Sequence, residues 1–157
     1  MLFRSKVKVP YVSLVNLIAG KKLVNEYIQN FSVDEVANEV VLLLTDKLKR
    51  KVVKDSFEDI RDRMLFAEAL ETAKTFEEGV ITSAAAANIG SIMGIGFPPN
   101  TGGAAQFMTG YEDKATGEIG LGAFLKRADE LAEKYGDRFR ATPWLRELAA
   151  SGKGFPA

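Results

Sequence analysis

The stretch Ala84-Ala85-Ala86-Ala87-Asn88-Ile89-Gly90-Ser91-Ile92-Met93-Gly94-Ile95-Gly96-Phe97-Pro98-Pro99-Asn100-Thr101-Gly102-Gly103 changes character halfway along. Its first half is small, apolar and built from good helix formers, which predicts a helix whose alanine and glycine surface lets neighbouring helices come close. Its second half reads as non-helical. Gly94 and Gly96 allow the backbone angles that end a helix, Pro98 and Pro99 remove donors and fix φ, and Gly102-Gly103 adds a second flexible point. The expectation is a buried helix running into a shaped loop.

Helical patterns flank this stretch on both sides. From Asp62, the residues Leu65, Ala69, Thr72, Ala73 and Phe76 share one face, with Glu71, Lys74 and Glu78 largely opposite and Gly79 at the C′ position. Thr82 or Ser83 is placed to cap the central helix. Beyond it, Gly103 to Met108 predicts a short helix and Gly110 to Gly120 an exposed loop. Leu121, Phe124, Leu125, Ala128, Leu131, Ala132 and Tyr135 form the clearest amphipathic stripe, closed by Gly136. Thr142-Pro143 opens a last helix with proline at N1, docked through Trp144 and Leu145, and Ser151 to Ala157 is expected to fray.

Nearer the start, Val7 to Ala19 alternates β-branched with polar residues and then turns apolar. That predicts a short strand around Tyr11 to Leu14, a helical turn and a stop at Gly20. Ser32 and Glu35 form a capping box ahead of Val33, Val36, Ala37, Val40, Val41 and Leu44 at helical spacing. Asp46 is placed to cap a further helix with Leu48, Val52, Phe57 and Ile60 as an imperfect stripe. Met1-Leu2-Phe3-Arg4-Ser5 joins nothing by periodicity or turn chemistry, and is expected to be an adapter-derived assembly artefact.

Composition bounds the chemistry. The 157 residues suffice for one domain, or a small domain with an appendage. Lys plus Arg and Asp plus Glu both number 21, so no overall field favours nucleic acid or an anionic membrane. No apolar run reaches the length of a membrane span, and no signal peptide is read at the start. The absence of cysteine removes disulfides and thiolates and suits a cytoplasmic location. The absence of histidine removes imidazole, the commonest acid–base group near neutral pH.

Three candidate constellations are weak. Gly94-Ile95-Gly96 fails as a phosphate loop, because a helix precedes it and Phe97-Pro98-Pro99 follows where a helix N-terminus is required. Glu68, Glu71, Glu77 and Glu78 read as a solvated face with Arg63 and Lys74 nearby, so no metal is expected. Arg63, Lys74, Lys126 and Arg127 are scattered basic residues, for which solvation is the default and a coenzyme A phosphate contact the alternative.

NIGSIMGIGFPPNTGG, preceded by RMLFAEALETAKTFEEGV and followed by GAFLKRADELAEKYGDRF, resembles the last helical repeat of bacterial β-oxidation multifunctional enzymes. These belong to the 3-hydroxyacyl-CoA dehydrogenase C-terminal domain family, and the likeness covers about Arg61 to Phe139. It implies a non-catalytic helical repeat that packs on an NAD-binding domain or a sister helical repeat and helps to shape an acyl-CoA cleft. Gly94, Gly96, Phe97 and Pro98 are expected to form the docking loop. The apolar surface left without its partner is expected to favour self-association. Active repeats open with an Asn-Arg pair; Asp62-Arg63 departs from it, as do Ala86, where Asp is usual, and Asn100, where an aromatic residue is common. The parent enzyme would use NAD. This chain has no NAD domain and no histidine, so no catalytic residue or cofactor is assigned to it, and it is expected to be inactive alone.

VPYVSLVNLIAGKKLVNEYIQ, with the capped helix and the SFEDIR segment after it, looks like the C-terminal end of lipid A disaccharide synthase, over roughly Lys8 to Ile60. The likeness implies a glycosyltransferase remnant in which Asn16, Glu26 and Gln29 lie near a UDP-sugar cleft; Asn25 stands where that family typically has proline. The two resemblances share neither fold nor chemistry. The expected organisation is a chimeric reading frame, with 1–60 a short α/β glycosyltransferase-like piece and 61–157 a mainly α-helical dehydrogenase C-terminal-like domain. A diverged linker for the first sixty residues and a helical binding module without enzyme ancestry are the alternatives.

Overall fold

The computed structural model describes residues 10–28 and 31–157, so Met1–Ser5 and Gln29 lie outside the described residues. The protein is mainly helical: α1 Leu14–Ala19, α2 Val33–Thr45, α3 Lys47–Glu77, α4 Ala84–Ile95, α5 Ala104–Thr109, α6 Leu121–Tyr135 and α7 Pro143–Ala150. Short 3-10 turns occupy Pro99–Thr101 and Asp137–Phe139. Two compact units divide between Asp62 and Arg63.

In the first unit the capping box ahead of α2 is fully formed. Ser32 Oγ accepts from the Glu35 N–H at 3.1 Å, and Glu35 Oε2 accepts from the Ser32 N–H at 2.8 Å. Asp46 Oδ1 accepts from the Lys49 N–H at 2.9 Å and so caps α3. The strand expected around Tyr11 to Leu14 is absent, and no strand occurs among the described residues. The Glu26 carboxylate accepts the N–H groups of Val12 and Ser13, the donors a ladder would have used, and Ser13 caps α1. Nothing in Lys47–Glu77 breaks a helix, since it holds neither Gly nor Pro, and the two helical patterns read on either side of residue 60 are one 31-residue element.

The second unit has a continuous core. Phe66, fully buried, stacks on Phe124 with ring centres 4.4 Å apart and meets Tyr111 edge-on at 5.1 Å and Phe107 at 5.6 Å. Leu70, Met108, Leu131 and Leu145 close the remaining space. The stripe read on α6 is the one it buries, and Thr142 Oγ1 accepts from the Leu145 N–H at the head of α7. Residues after Ser151 are held where fraying was expected. Phe155 packs on Phe76 with ring centres 4.9 Å apart and on Trp144 at 6.0 Å, and the Ala84 N–H donates to the Pro156 carbonyl at 2.7 Å.

The close approach anticipated for the alanine and glycine run falls instead at Gly103. A Cβ there would lie 2.4 Å from Asn88 Cα, and the residue sits at φ 103°. Both facts demand glycine. Gly103→Ala is expected to cost about 3 kcal/mol or more and to lower Tm by roughly 10 °C or more. Gly136→Ala, at nearly the same backbone angles (φ 100°, ψ 174°) but with open space around it, is the control for backbone strain alone. Equal Tm losses for the two variants would show that contact with Asn88 contributes nothing.

Candidate functional site

α4 is inverted relative to an ordinary surface helix. Its two polar side chains point inward: Ser91 is buried and Asn88 half-buried, while Ile89, Met93 and Ile95 are 65%, 81% and 57% exposed. The inward pair caps α5. Asn88 Oδ1 accepts from the Gln106 N–H at 2.9 Å, and Ser91 Oγ accepts from the Ala104 N–H while donating to the Asn88 carbonyl, both at 3.0 Å. These are first-turn donors of α5 for which Gly103, its own N-cap residue, has no side chain to offer. Outward, Ala85, Ala86, Ile89, Gly90, Met93 and Gly94 make an exposed face without charge. No charged side chain occurs between Gly79 and Tyr111, and that run is the sequence signal for this face.

The loop after α4 is anchored inward. Gly94 is helical, where a helix end was expected at that residue, and Gly96 at φ 77° makes the end. The Phe97 N–H closes the turn onto the Ser91 carbonyl at 3.0 Å, and the Phe97 ring is fully buried against Phe107, centres 5.6 Å apart. Pro98 is half-buried and begins the 3-10 turn. Of the four loop residues named from the sequence, Gly94 and Gly96 face out with Met93 and Ile95. Phe97 holds the loop from beneath.

The dispersed charges are engaged locally. Lys74 pairs with Glu71 at 2.7 Å, Arg127 with Glu130 at 2.9 Å, and the Arg63 guanidinium lies 4.2 Å above the centre of the Tyr135 ring. Lys126 binds Asp113 at 2.7 Å; this bond, with the Ala115 N–H, lowers the Asp113 pKa to about 2. Asp62 is buried and takes a bond from Arg61 at 3.3 Å. Among the described residues no group of three or more carboxylates is placed to hold a metal, and no helix is long and apolar enough to cross a membrane.

In the first unit, Asn16 and Glu26 come together. Asn16 is fully buried; its Oδ1 accepts from the N–H groups of Leu23 and Val24, and its Nδ2 donates to the Val24 carbonyl and, at 2.7 Å, to Glu26 Oε1. The two side chains staple 12–26 to itself, with Asn16 fully enclosed and Glu26 at the edge of a groove. That groove is open, has a volume of about 490 Å³, and is lined by Glu26 together with Lys22, Asn25, Tyr27, Phe31 and Leu42. Gln29 lies outside the described residues.

Comparison with known proteins gives two likenesses. A family profile described as Lipid-A-disaccharide synthetase matches residues 1–78. The chain is also 40% identical over 100 residues to the fatty acid oxidation complex subunit alpha of Pseudomonas syringae pv. syringae strain B728a, a match covering 64% of this chain and 13% of that protein. The corresponding subunit of P. syringae pv. tomato is equally similar, and that of P. aeruginosa strain LESB58 is 39% identical over 98 residues. The chain thus spans about an eighth of the length of these relatives. Their similarity marks a β-oxidation-related region. The two matches together exceed the length of the chain, so they share residues.

The staple carries a pH dependence. The Val12 N–H above all, then the Asn16 amide and Ser13, hold the Glu26 carboxyl well below its ordinary 4.5, at about 2. A carboxyl whose folded pKa is depressed stabilises the folded form above its unfolded pKa and loses that contribution as pH falls toward the folded value. The loop 12–26 is therefore expected to loosen between about pH 4.5 and pH 2, read as loss of dispersion at the Leu23 and Val24 amides by NMR. Glu26→Gln should abolish that acid step. An identical titration in the variant would show that the carboxylate does not hold the loop.

Proposed function

We propose that residues 63–157 serve as a non-catalytic helical part of a fatty acid oxidation assembly, docking through the outward face of α4. The occupant is an NAD-binding domain of 3-hydroxyacyl-CoA dehydrogenase type or a sister helical repeat, and the docked unit helps to shape an acyl-CoA cleft. The observation that carries this reading is the charge-free face of Ala86, Ile89, Gly90, Met93 and Gly94, whose small residues let another element approach closely. The likeness to fatty acid oxidation subunits supports the partner class. NAD belongs to that partner. This chain holds no histidine to take the hydroxyl proton, and its role is binding rather than turnover.

The experiment combines the whole chain with a separately purified NAD-binding domain of a bacterial α subunit. Binding is followed by calorimetry, and NADH formation from an L-3-hydroxyacyl-CoA by absorbance. Saturable binding is expected, weakened about tenfold or more by Met93→Asp, equivalent to about 1.4 kcal/mol, with the variant still folded because Met93 is 81% exposed. Turnover by the chain alone, or no loss of binding in the variant, would refute the reading.

The likeness to the Lipid-A-disaccharide synthetase family favours a second reading, a sugar-nucleotide remnant in 1–60. The bonding of Asn16 and Glu26 to their own loop argues against it. A UDP titration is expected to give no saturable heat, and saturable binding lost in Gln29→Ala would reverse that ranking. A chimeric reading frame joined near Ile60–Met64 is our account of the two likenesses; native genomic DNA continuous across those codons would make the fusion natural.

A further inference from the structure

α4 depends on its neighbours to stay formed. It is 12 residues long, carries no charged side chains to pair along its surface, and contains Gly90 and Gly94, both poor helix formers. Asn88 and Ser91 tie its middle to α5. Its start is held from another direction. Ser83 Oγ accepts from the Ala86 N–H at 3.2 Å, and the Ala84 N–H donates to the Pro156 carbonyl at 2.7 Å. At that turn, fully buried Ala87 joins Phe76 and Ala105 in a small apolar cluster against which Ile81, Ala84, Trp144 and Phe155 pack.

The segment that supplies Phe155 and Pro156 is lightly fastened. Gly152, Lys153 and Gly154 are exposed, and a Cβ at either glycine would meet nothing within 4 Å. One half-buried ring and one hydrogen bond to α4 do most of the holding, so the segment opens locally far more often than the core. We propose that 152–156 is a latch on α4: with Phe155 seated the first turns of α4 are ordered, and when it leaves, Ala84 to Ile89 loosen together. Those turns carry Ala86 and Ile89 of the outward face, so the latch regulates docking there, a consequence that rests on the docking reading above. Linkage makes the coupling reciprocal. A partner that requires an ordered α4 tightens the latch by the same factor.

Amide exchange by NMR on the full chain tests it, with Trp144, the single tryptophan, as a second reporter whose ring centre lies 6.0 Å from that of Phe155. Phe155→Ala is expected to red-shift the Trp144 emission and to speed exchange about tenfold at Ala84, Ala86, Ala87 and Ile89. Leu131, in the core face of α6, should exchange as before, and Phe155→Leu should restore most of the protection. The Phe155→Ala chain should also bind a separately purified NAD-binding domain about tenfold more weakly, and saturation with that domain should slow exchange at Ala84 in the unaltered chain. Faster exchange confined to Ala84, or an equal loss of protection at Leu131, would show packing without a latch and overturn the proposal. Unchanged docking by a chain whose α4 has loosened would overturn it as well. No binding by the unaltered chain would instead refute the docking reading, and the exchange pattern would still decide the latch.

Discussion

The second unit depends on how closely α4 and α5 touch. Gly103 lets the backbone of the connecting loop reach Asn88, and at that distance Asn88 and Ser91 can cap first-turn amides of α5. A helix as short as α5 has little intrinsic stability, so satisfying its donors and burying Ala104, Ala105 and Met108 are what keep it formed. The arrangement has a consequence for α4. Its polar side chains are committed inward, so its outer surface is left with Ile89, Met93 and small residues. The exposed apolar face follows from the same contact that builds the core.

How much of this was legible depends on how local each interaction is. The Ser32–Glu35 box, the Thr142-Pro143 start of α7 and the Gly136 stop are read within one helical turn, and the structure contains all three. The strand expected at Tyr11 to Leu14 was misread because its amide donors go to Glu26, which lies 14 residues from Val12. The held tail was missed for the same reason, since Phe155 meets Phe76 and Trp144 only in the folded unit. In α4 the composition was read correctly and its orientation was not. Alanine and glycine give little contrast between faces, and the decisive acceptors, Asn88 and Ser91, serve donors on another helix. The candidate residues divide likewise: Phe97 became a core anchor and Asn16 a staple, roles that residue type alone does not separate from ligand contact.

The two units differ in how they are held. Phe66, Leu70, Phe124, Leu131 and Leu145 give the second a close-packed interior whose removal from water supplies most of its stability. In the first, Asn16 is fully buried, and order rests on caps, a capping box and a carboxylate that accepts two backbone amides. Such polar contacts contribute about 1 kcal/mol each in net terms. Local opening of α1 and α2 should therefore cost far less than opening of the second unit's core, and any binding event that covers α2 stabilises the first unit by mass action.

A catalytic unit needs groups that change protonation near the working pH, held where a reacting atom sits. Among the described residues, the carboxyls of Glu26 and Asp113 are shifted downward, which keeps them anionic near neutrality and tied to backbone amides and to Lys126. A carboxylate with a pKa of about 2 is a poor proton acceptor near neutrality. Glu26 and Asp113 thus hold loops, while the segment from Gly79 to Tyr111 carries no charge and draws its order from buried side chains and the caps that Asn88 and Ser91 supply.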